Sequence, residues 1–346
     1  MKEDFDKWLT NAYQHKASDV HLTIGKPPIF RINGLLQEQQ LPELTPADTY
    51  QIVKEIISTE LWDQLETNRD LDFTYGINGV SRFRINTFFQ RGQLSLAIRI
   101  VPRTIPTIED LGLPQIVKQI VQHPQGLILI TGPTGSGKST TLAAMINYMN
   151  KTMQKHIITL EDPIEYMYNH DKSVIDQREI GFDTTSFANG LRSSLRQDPD
   201  VILVGEMRDF ETISTAITAA ETGHLVLGTL HTTDAVSTIE RIIDVFPPNQ
   251  HAQIQVQLAS ILKTVISQRL LVTKDRRDRV VATEVLVNNS AVKNLIRNEK
   301  LHQIQNVLQT SKEHGMHTLE MDLKRLLQEN RVTPESIAPF LQERNL

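Results

Sequence analysis

The residues Gly132-Pro133-Thr134-Gly135-Ser136-Gly137-Lys138-Ser139 match G-x-x-x-x-G-K-[ST] over its full length, with Thr140 next in line. Phosphate binding is the chemistry that such a run supports. Glycines let successive backbone N–H groups curl around phosphate oxygens, and a helix starting behind them directs its positive end at the same anion. Lys138 is then placed to reach the β- and γ-phosphates of ATP, and the Ser139 hydroxyl to hold Mg²⁺. At an average glycine usage of about 7%, a chain of this length produces such a match by chance only about once in a hundred. A glycine-rich turn without a ligand also leaves the setting unexplained, since the apolar run GLILIT precedes the motif and the helical run TTLAAMINYM follows it.

Holding a triphosphate is not yet hydrolysing it. Hydrolysis also needs a carboxylate near Mg²⁺ and a group that orients the attacking water. Two acidic sites stand where buried strands are expected to end. VILVGE ends at Glu206, and HIITLE runs into Glu161-Asp162-Pro163-Ile164-Glu165. Ligands of open α/β sheets sit at those strand ends. Glu206 is therefore assigned to the Mg²⁺ side and Glu165 to water activation, with Glu161 and Asp162 competing for the second role. HLVLGTLH adds His224 and His231, which bracket a strand and could polarise phosphate or report its loss. Each could equally be a structural histidine, and their spacing does not resemble a common zinc pattern.

These side chains need a scaffold. GLILIT, HIITLE, VILVGE and HLVLGT are short apolar runs, each followed by turn or helix signals, the signature of a mainly parallel sheet in an α/β domain. Upstream the alternation is different. Met1, Phe5, Trp8, Leu9 and Ala12 fall at helical spacing, Val20, Leu22 and Ile24 alternate, and Asn33-Gly34 reads as a tight turn. Thr45-Pro46 opens a helix with the stripe Ile52, Val53, Ile56 and Ile57. LDFTYG and SRFRINTF join through Asn78-Gly79 as a hairpin, with Phe83 and Ile85 on one face and Arg82, Arg84 and Asn86 on the other. A strand over 94–101 turns Leu94, Leu96, Ile98 and Ile100 one way and Arg99 the other.

The predicted organisation is a small α+β domain over 1–101 with an arginine-bearing sheet face, then a linker over 102–125 marked by Pro102, Pro106, Pro114 and Pro124. An α/β core over 126–288 follows. The helical segment over 289–346 carries the stripe Met316, Leu319, Leu323, Leu326 and Leu327.

Composition narrows the function classes. The 346 residues are 39% hydrophobic and 22% charged, enough for two cores and a soluble surface. The formal net charge of −5 argues against direct nucleic-acid binding. There is no cysteine, which removes disulfides, thiol nucleophiles and thiolate zinc sites and suits a reducing compartment. No apolar run approaches the roughly 18–20 residues of a membrane span, and MKEDFDKWLT is unlike a signal peptide. The expected location is the cytoplasm.

The blocks GPTGSGKST, EDPIEY, DPDVILVGEMRD, TAAETGHLVLGTLHT and IIDVFP, together with ASDVHLTIGKPPIFRINGLL at the front, resemble the secretion-superfamily ATPases. Within them they are most similar to the PilT-type motors of type IV pili, over nearly the whole chain. The resemblance implies a PAS-like amino-terminal domain, then a RecA-like P-loop ATPase core, assembled as a homohexameric ring with ATP between the domains. It also implies Mg²⁺-dependent hydrolysis that powers pilus retraction and twitching motility. Such a motor works peripherally at the inner face of the cell membrane, through an inner-membrane platform protein. Residue by residue, Glu165 falls on the catalytic glutamate of the Asp box, Glu206 on the Walker B position, and His224 and His231 on the His box. Arg84 and Arg99 match amino-domain arginines that approach the γ-phosphate, a charge worth roughly 10³–10⁵ in rate in the best cases. Without the family, those two arginines read as a solvated face. Arg192 and Arg196 stay open between a neighbouring subunit's site and salt bridging within the core.

One segment departs from the pattern. Where PilT-type motors carry an AIRNLIRE-like helix, this chain has Ala291-Val292-Lys293-Asn294-Leu295-Ile296-Arg297-Asn298. Lys293 and Asn298 replace an arginine and a glutamate, while Ala291, Val292, Leu295 and Ile296 keep a buried stripe. The departure leaves hydrolysis untouched and keeps an assembly, competence-pilus or type II secretion motor as the alternative to retraction. Extension and type II secretion ATPases usually carry a long amino-terminal extension and a four-cysteine zinc module, and this chain has neither. A nucleotide-binding accessory subunit is disfavoured, since no expected catalytic position is missing.

Overall fold

The computed structural model describes residues 1–32, 34–101, 104–275 and 278–342. Asn33 of the expected turn and Pro102 of the expected linker lie outside them. The chain divides into two compact units, Met1–Thr104 and Ile105–Leu346. Among the described residues no helix is long and apolar enough to cross a membrane.

In the first unit, helix α1 (Lys2–Gln14) buries Phe5, Leu9 and Ala12, the i, i+4, i+7 face of the predicted stripe. Helix α2 (Pro46–Ile56) opens with a capping box in which the Thr45 hydroxyl accepts the Asp48 N–H and the Asp48 carboxylate accepts the Thr45 N–H. The sequence pattern predicts no helix over 59–68, yet α3 (Thr59–Asn68) forms there. Ser58 caps it, and its buried set, Trp62 and Leu65, is too sparse to stand out as a stripe. Strands β1 (Asp19–Leu22), β2 (Ile29–Ile32), β3 (Leu35–Glu38), β4 (Asp70–Ile77), β5 (Ser81–Gln90) and β6 (Gln93–Ile100) make one antiparallel sheet in the order β3-β2-β1-β6-β5-β4. Phe83, Ile85, Leu96 and Ile98 point from it into the core. Arg84 and Arg99 share a rung of the β5–β6 ladder and are both exposed.

In the second unit, strands β7 (Gly126–Thr131), β8 (His156–Glu161), β9 (Val174–Glu179), β10 (Val201–Val204), β11 (Leu225–Leu230), β12 (Leu262–Val272) and β13 (Arg279–Val287) form a sheet in the order β13-β12-β7-β11-β10-β8-β9. Every pairing is parallel except β12 with β13. Every residue of β7, β10 and β11 is buried, which is why these strands read as unbroken apolar runs. Successive β7 residues alternate between the two faces. Leu127 and Leu129 pack with Ile213, Ala216 and Leu258, while Ile128 and Ile130 pack with Met145, Ile146 and Val117. Helices cover both faces accordingly.

Two expectations change here. The stretch 102–125 is predicted as a linker, but from Ile105 onward it belongs to the second unit. Ile108, Leu113, Val117, Ile120 and Val121 are buried in that unit's core, so Pro106 and Pro114 belong to a packed segment. In the helix Ser290–Arg297, Val292 and Ile296 are buried and Leu295 is half-buried, but Ala291 faces solvent. That apolar stripe is narrower than predicted.

Candidate active site

Four parallel strands bring the predicted residues to one edge. Thr131 pairs with Leu230, and Val204 pairs with both Gly228 and Leu160. The residues that leave those strands, Gly132, His231, Glu206 and Glu161, therefore emerge together at the carboxyl end of the sheet. This is where open α/β sheets hold ligands.

The loop Gly132–Gly137 runs directly into the helix Lys138–Thr152. Gly132 has φ +145°, and a Cβ there would lie 2.5 Å from the Gln268 carbonyl oxygen and 2.6 Å from Ser136 Oγ. Only glycine lets the loop lie this close to its floor. Pro133, Thr134 and Gly135 are exposed at the tip, and Ser136 is buried beneath them. Lys138 Nζ donates to the carbonyl oxygens of Gly132 at 2.8 Å and Pro133 at 3.1 Å, which folds its amine over the loop. Burial lowers the Lys138 pKa, and the charges of Glu206 and Glu165 oppose that shift. Both carboxylates are thus within electrostatic reach of the same ammonium. Ser139 is exposed at the helix start, and the Thr140 hydroxyl lies 3.0 Å from the Tyr166 hydroxyl, tying this helix to the acidic loop.

Glu206 is mostly buried. His231 Nε2 lies 2.9 Å from Glu206 Oε1, and Arg208 donates to the same oxygen. The two ends of neighbouring strands have become one polar cluster. The three rival carboxylates separate in a different way. Glu161 Oε1 accepts the Thr159 hydroxyl at 2.6 Å and Gln177 Nε2 at 3.1 Å. Burial pushes the Glu161 carboxyl upward, against those bonds and one from the Glu165 amide. Glu165 itself is exposed, and so is Asp162, whose charge acts on Arg208. The loop that presents Glu165 is held by Glu179, which is buried and accepts the Ile164 N–H, and by Gln177, whose Nε2 also donates to the Tyr166 carbonyl.

His224 does not join this cluster. Its carbonyl accepts the N–H of Gly126, the first residue of β7, and its Nδ1 donates to the Ala219 carbonyl at 3.0 Å. At about 3.3 Å per residue, the strand separates it from the phosphate loop by roughly 20 Å. Within one chain, therefore, His224, expected as a catalytic candidate alongside His231, stands away from the phosphate loop, because a strand's two ends lie at opposite edges of the sheet. Arg84 and Arg99 lie in the first unit, lining a shallow cavity of about 260 Å³ with Asp19, His21, Asp72 and Asn86. Arg99 Nε donates to Asp19 at 3.2 Å. Arg192 is paired with Glu211, the salt-bridge reading of that residue.

Among the described residues no group of three or more His, Asp or Glu side chains could hold a metal by itself. The Ser139 hydroxyl and the Glu206 carboxylate are both hard oxygen donors. That set fits Mg²⁺, which usually takes one or two protein oxygens together with waters and substrate phosphates. Sequence reasoning missed Gln177, Tyr166 and Gln268. The last stands on a strand whose only signal was the pair of β-branched runs at 262–272 and 279–287.

A model of the type II/IV secretion system protein family matches residues 1–337. The chain is 44% identical to the type IV pilus retractation ATPase PilT of Pseudomonas aeruginosa, over 96% of each chain. It is 47% identical to a twitching motility protein of Neisseria gonorrhoeae, over 89% of this chain and 83% of that one. A crystal structure of the pilus retraction motor PilT with bound ADP superposes with a TM-score of 0.89 at 48% identity, covering 96% of this chain and 95% of that one. On the extent of these matches and the strand–loop–helix site they accompany, the chain belongs to the type II/IV secretion system protein family.

Proposed function

We propose that this chain is an ATPase that powers retraction of type IV pili. The observation that carries the reading is the phosphate loop at the carboxyl edge of the sheet, with Lys138 in reach of Glu206 and Glu165. Backbone N–H groups of the loop between Thr134 and Thr140 and the Lys138 ammonium bind the β- and γ-phosphates. Ser139 and Glu206 would hold Mg²⁺, which when bound neutralises charge on the phosphate oxygens. Glu165 takes a proton from the attacking water as its oxygen bonds to the γ-phosphorus. The bond to the β–γ bridging oxygen breaks, giving ADP and phosphate. His231, anchored on Glu206, reads whether the γ-phosphate is present. Arg84 and Arg99, two guanidiniums at one rung of one sheet, supply arginine-finger charge.

In this reading the first unit is PAS-like and the second RecA-like, and the subunits form a homohexameric ring. The ring acts in the cytoplasm, at the inner face of the membrane, on a platform protein of the pilus machinery, without direct contact to nucleic acid. The relatives' names favour retraction; the altered segment 291–298 is what keeps assembly as the alternative. Replacing the native gene with a Lys138→Ala version and counting surface pili separates the two. More pili than wild type, with motility lost, is the expected result. Bare cells would overturn retraction in favour of assembly.

A further inference from the structure

We infer that Gln268 is a positioning residue of the phosphate loop, pinning the Ser136–Gly137 peptide so that the Gly137 N–H faces the phosphate. The inference rests on the nucleotide-binding reading above and adds a residue that no motif contains. In the parallel β7–β12 pair, Ser267 stands beside Thr131, and their hydroxyls lie 2.8 Å apart in the core. The next residue of β12, Gln268, is therefore level with the start of the loop. It is fully buried, and its Nε2 donates to the Ser136 carbonyl oxygen at 2.8 Å. A Cβ on Gly132 would lie 2.5 Å from the Gln268 carbonyl oxygen, and one on Gly137 would lie 3.3 Å from Gln268 Nε2. One residue thus underlies both ends of the loop.

In a trans peptide the C=O and the following N–H point in opposite directions. With the Ser136 carbonyl held toward β12, the Gly137 N–H is turned away from it, toward the side on which the loop is open. Glycine does not hold that orientation by itself. Gly137 sits at φ +88°, and a glycine-flanked peptide can rotate at little steric cost. The buried hydrogen bond is what selects one orientation.

A second observation bears on why a carboxamide stands here. Gln268 Oε1 and Ser136 Oγ are both buried without a hydrogen-bond partner. Native interiors hold few such atoms, because each carries a desolvation cost. An apolar side chain of similar size would fill the space with no orphaned oxygen. What glutamine supplies and leucine lacks is the donor on Ser136. Turning the amide over would set oxygen against oxygen there, so only one orientation serves.

The test uses the full chain, a fluorescent ADP analogue for binding, and phosphate release for turnover. Gln268→Leu leaves the buried Ser136 carbonyl unpaired, and should weaken ADP binding and raise the ATP KM by roughly tenfold while moving kcat far less. Gln268→Glu keeps the shape and adds a pH readout. A buried carboxyl titrates high. Its protonated form donates to Ser136 and its ionised form repels it. Affinity relative to wild type should therefore be near normal at about pH 6 and fall as pH rises, while the leucine variant stays flat. Wild-type affinity in Gln268→Leu, or no pH dependence in Gln268→Glu, would overturn the inference. So would loss of the folded circular-dichroism spectrum in both variants, which would make Gln268 a packing residue. If the wild-type chain itself fails to bind ADP, it is the nucleotide reading that has failed.

Discussion

Replacing Glu165 with Gln removes a base and little else, whereas the same change at Glu161 removes a charge that the fold has already committed. Glu161 is half-buried, and Thr159, Gln177 and the Glu165 amide all donate to it. A glutamine there keeps one acceptor oxygen and turns an NH₂ toward one of those donors. Losing one charged hydrogen bond costs about 1.5–3 kcal/mol, which for a unit of this size lowers Tm by about 5–10 °C. Turnover of the folded fraction should change little. Glu165 is exposed yet acts on Lys138, so its carboxylate is on hand at the loop. A positioned general base contributes about 10²–10⁴ in rate, or about 3–5 kcal/mol, and Glu165→Gln should lose that factor with an unchanged melt. The assay is phosphate release at saturating ATP and Mg²⁺, with ADP affinity and thermal denaturation measured on the same samples. Turnover of Glu165→Gln within threefold of wild type, or a hundredfold loss in Glu161→Gln without a change in Tm, would refute the assignment of water activation to Glu165.

Gly132→Ala tests the close approach of loop and floor. Its Cβ would press on the Gln268 backbone, which cannot yield, at φ +145°, so a loss of about 2–5 kcal/mol and of ADP binding is expected by melt and titration. Gly135→Ala, with φ +77° but open space, should cost only about 1–2 kcal/mol; equal effects at the two sites would show that crowding is not the cause. His317 offers a pH signature. Burial holds its pKa below 6.5, with Arg325 adding to the shift and Asp322 and Glu284 opposing it, while its Nε2 meets the Thr283 hydroxyl at 2.9 Å. The unfolded chain therefore takes the proton first, and stability should fall as pH drops from about 6.5 toward the lower folded pKa. His317→Gln should flatten that part of the urea-midpoint profile between pH 7.5 and 5.5, and an unchanged slope would exclude His317 as its source.

The phosphate loop, the four apolar strands and the acidic strand ends were legible because their signals are local. A glycine run before a lysine, or an unbroken apolar stretch, states its backbone requirement within a few residues. The strands that carry Arg84 and Arg99 on their polar faces were legible for the same reason, since a strand's side chains alternate. Helix α3 was not, because Trp62 and Leu65 are two buried positions rather than a stripe. Nor was the packing of 105–121, where prolines suggest a linker and only the core shows Val117 and Ile120 inside it.

The sequence by itself determined which chemistry this protein carries, since residue types and short spacings decide whether phosphate and a hard cation can be held. Tertiary structure decided where each of those residues stands. Glu161 and Glu165 are near neighbours in sequence, yet burial commits one to the fold and leaves the other exposed. His224 and His231 bracket one strand, yet only His231 meets Glu206, because the ends of a strand lie at opposite edges of its sheet. Gln268 lies far along the chain from Ser136 and becomes its partner only when β12 pairs with β7. Desolvation, strand direction and long-range register depend on what the rest of the chain places nearby, and no local spacing encodes them.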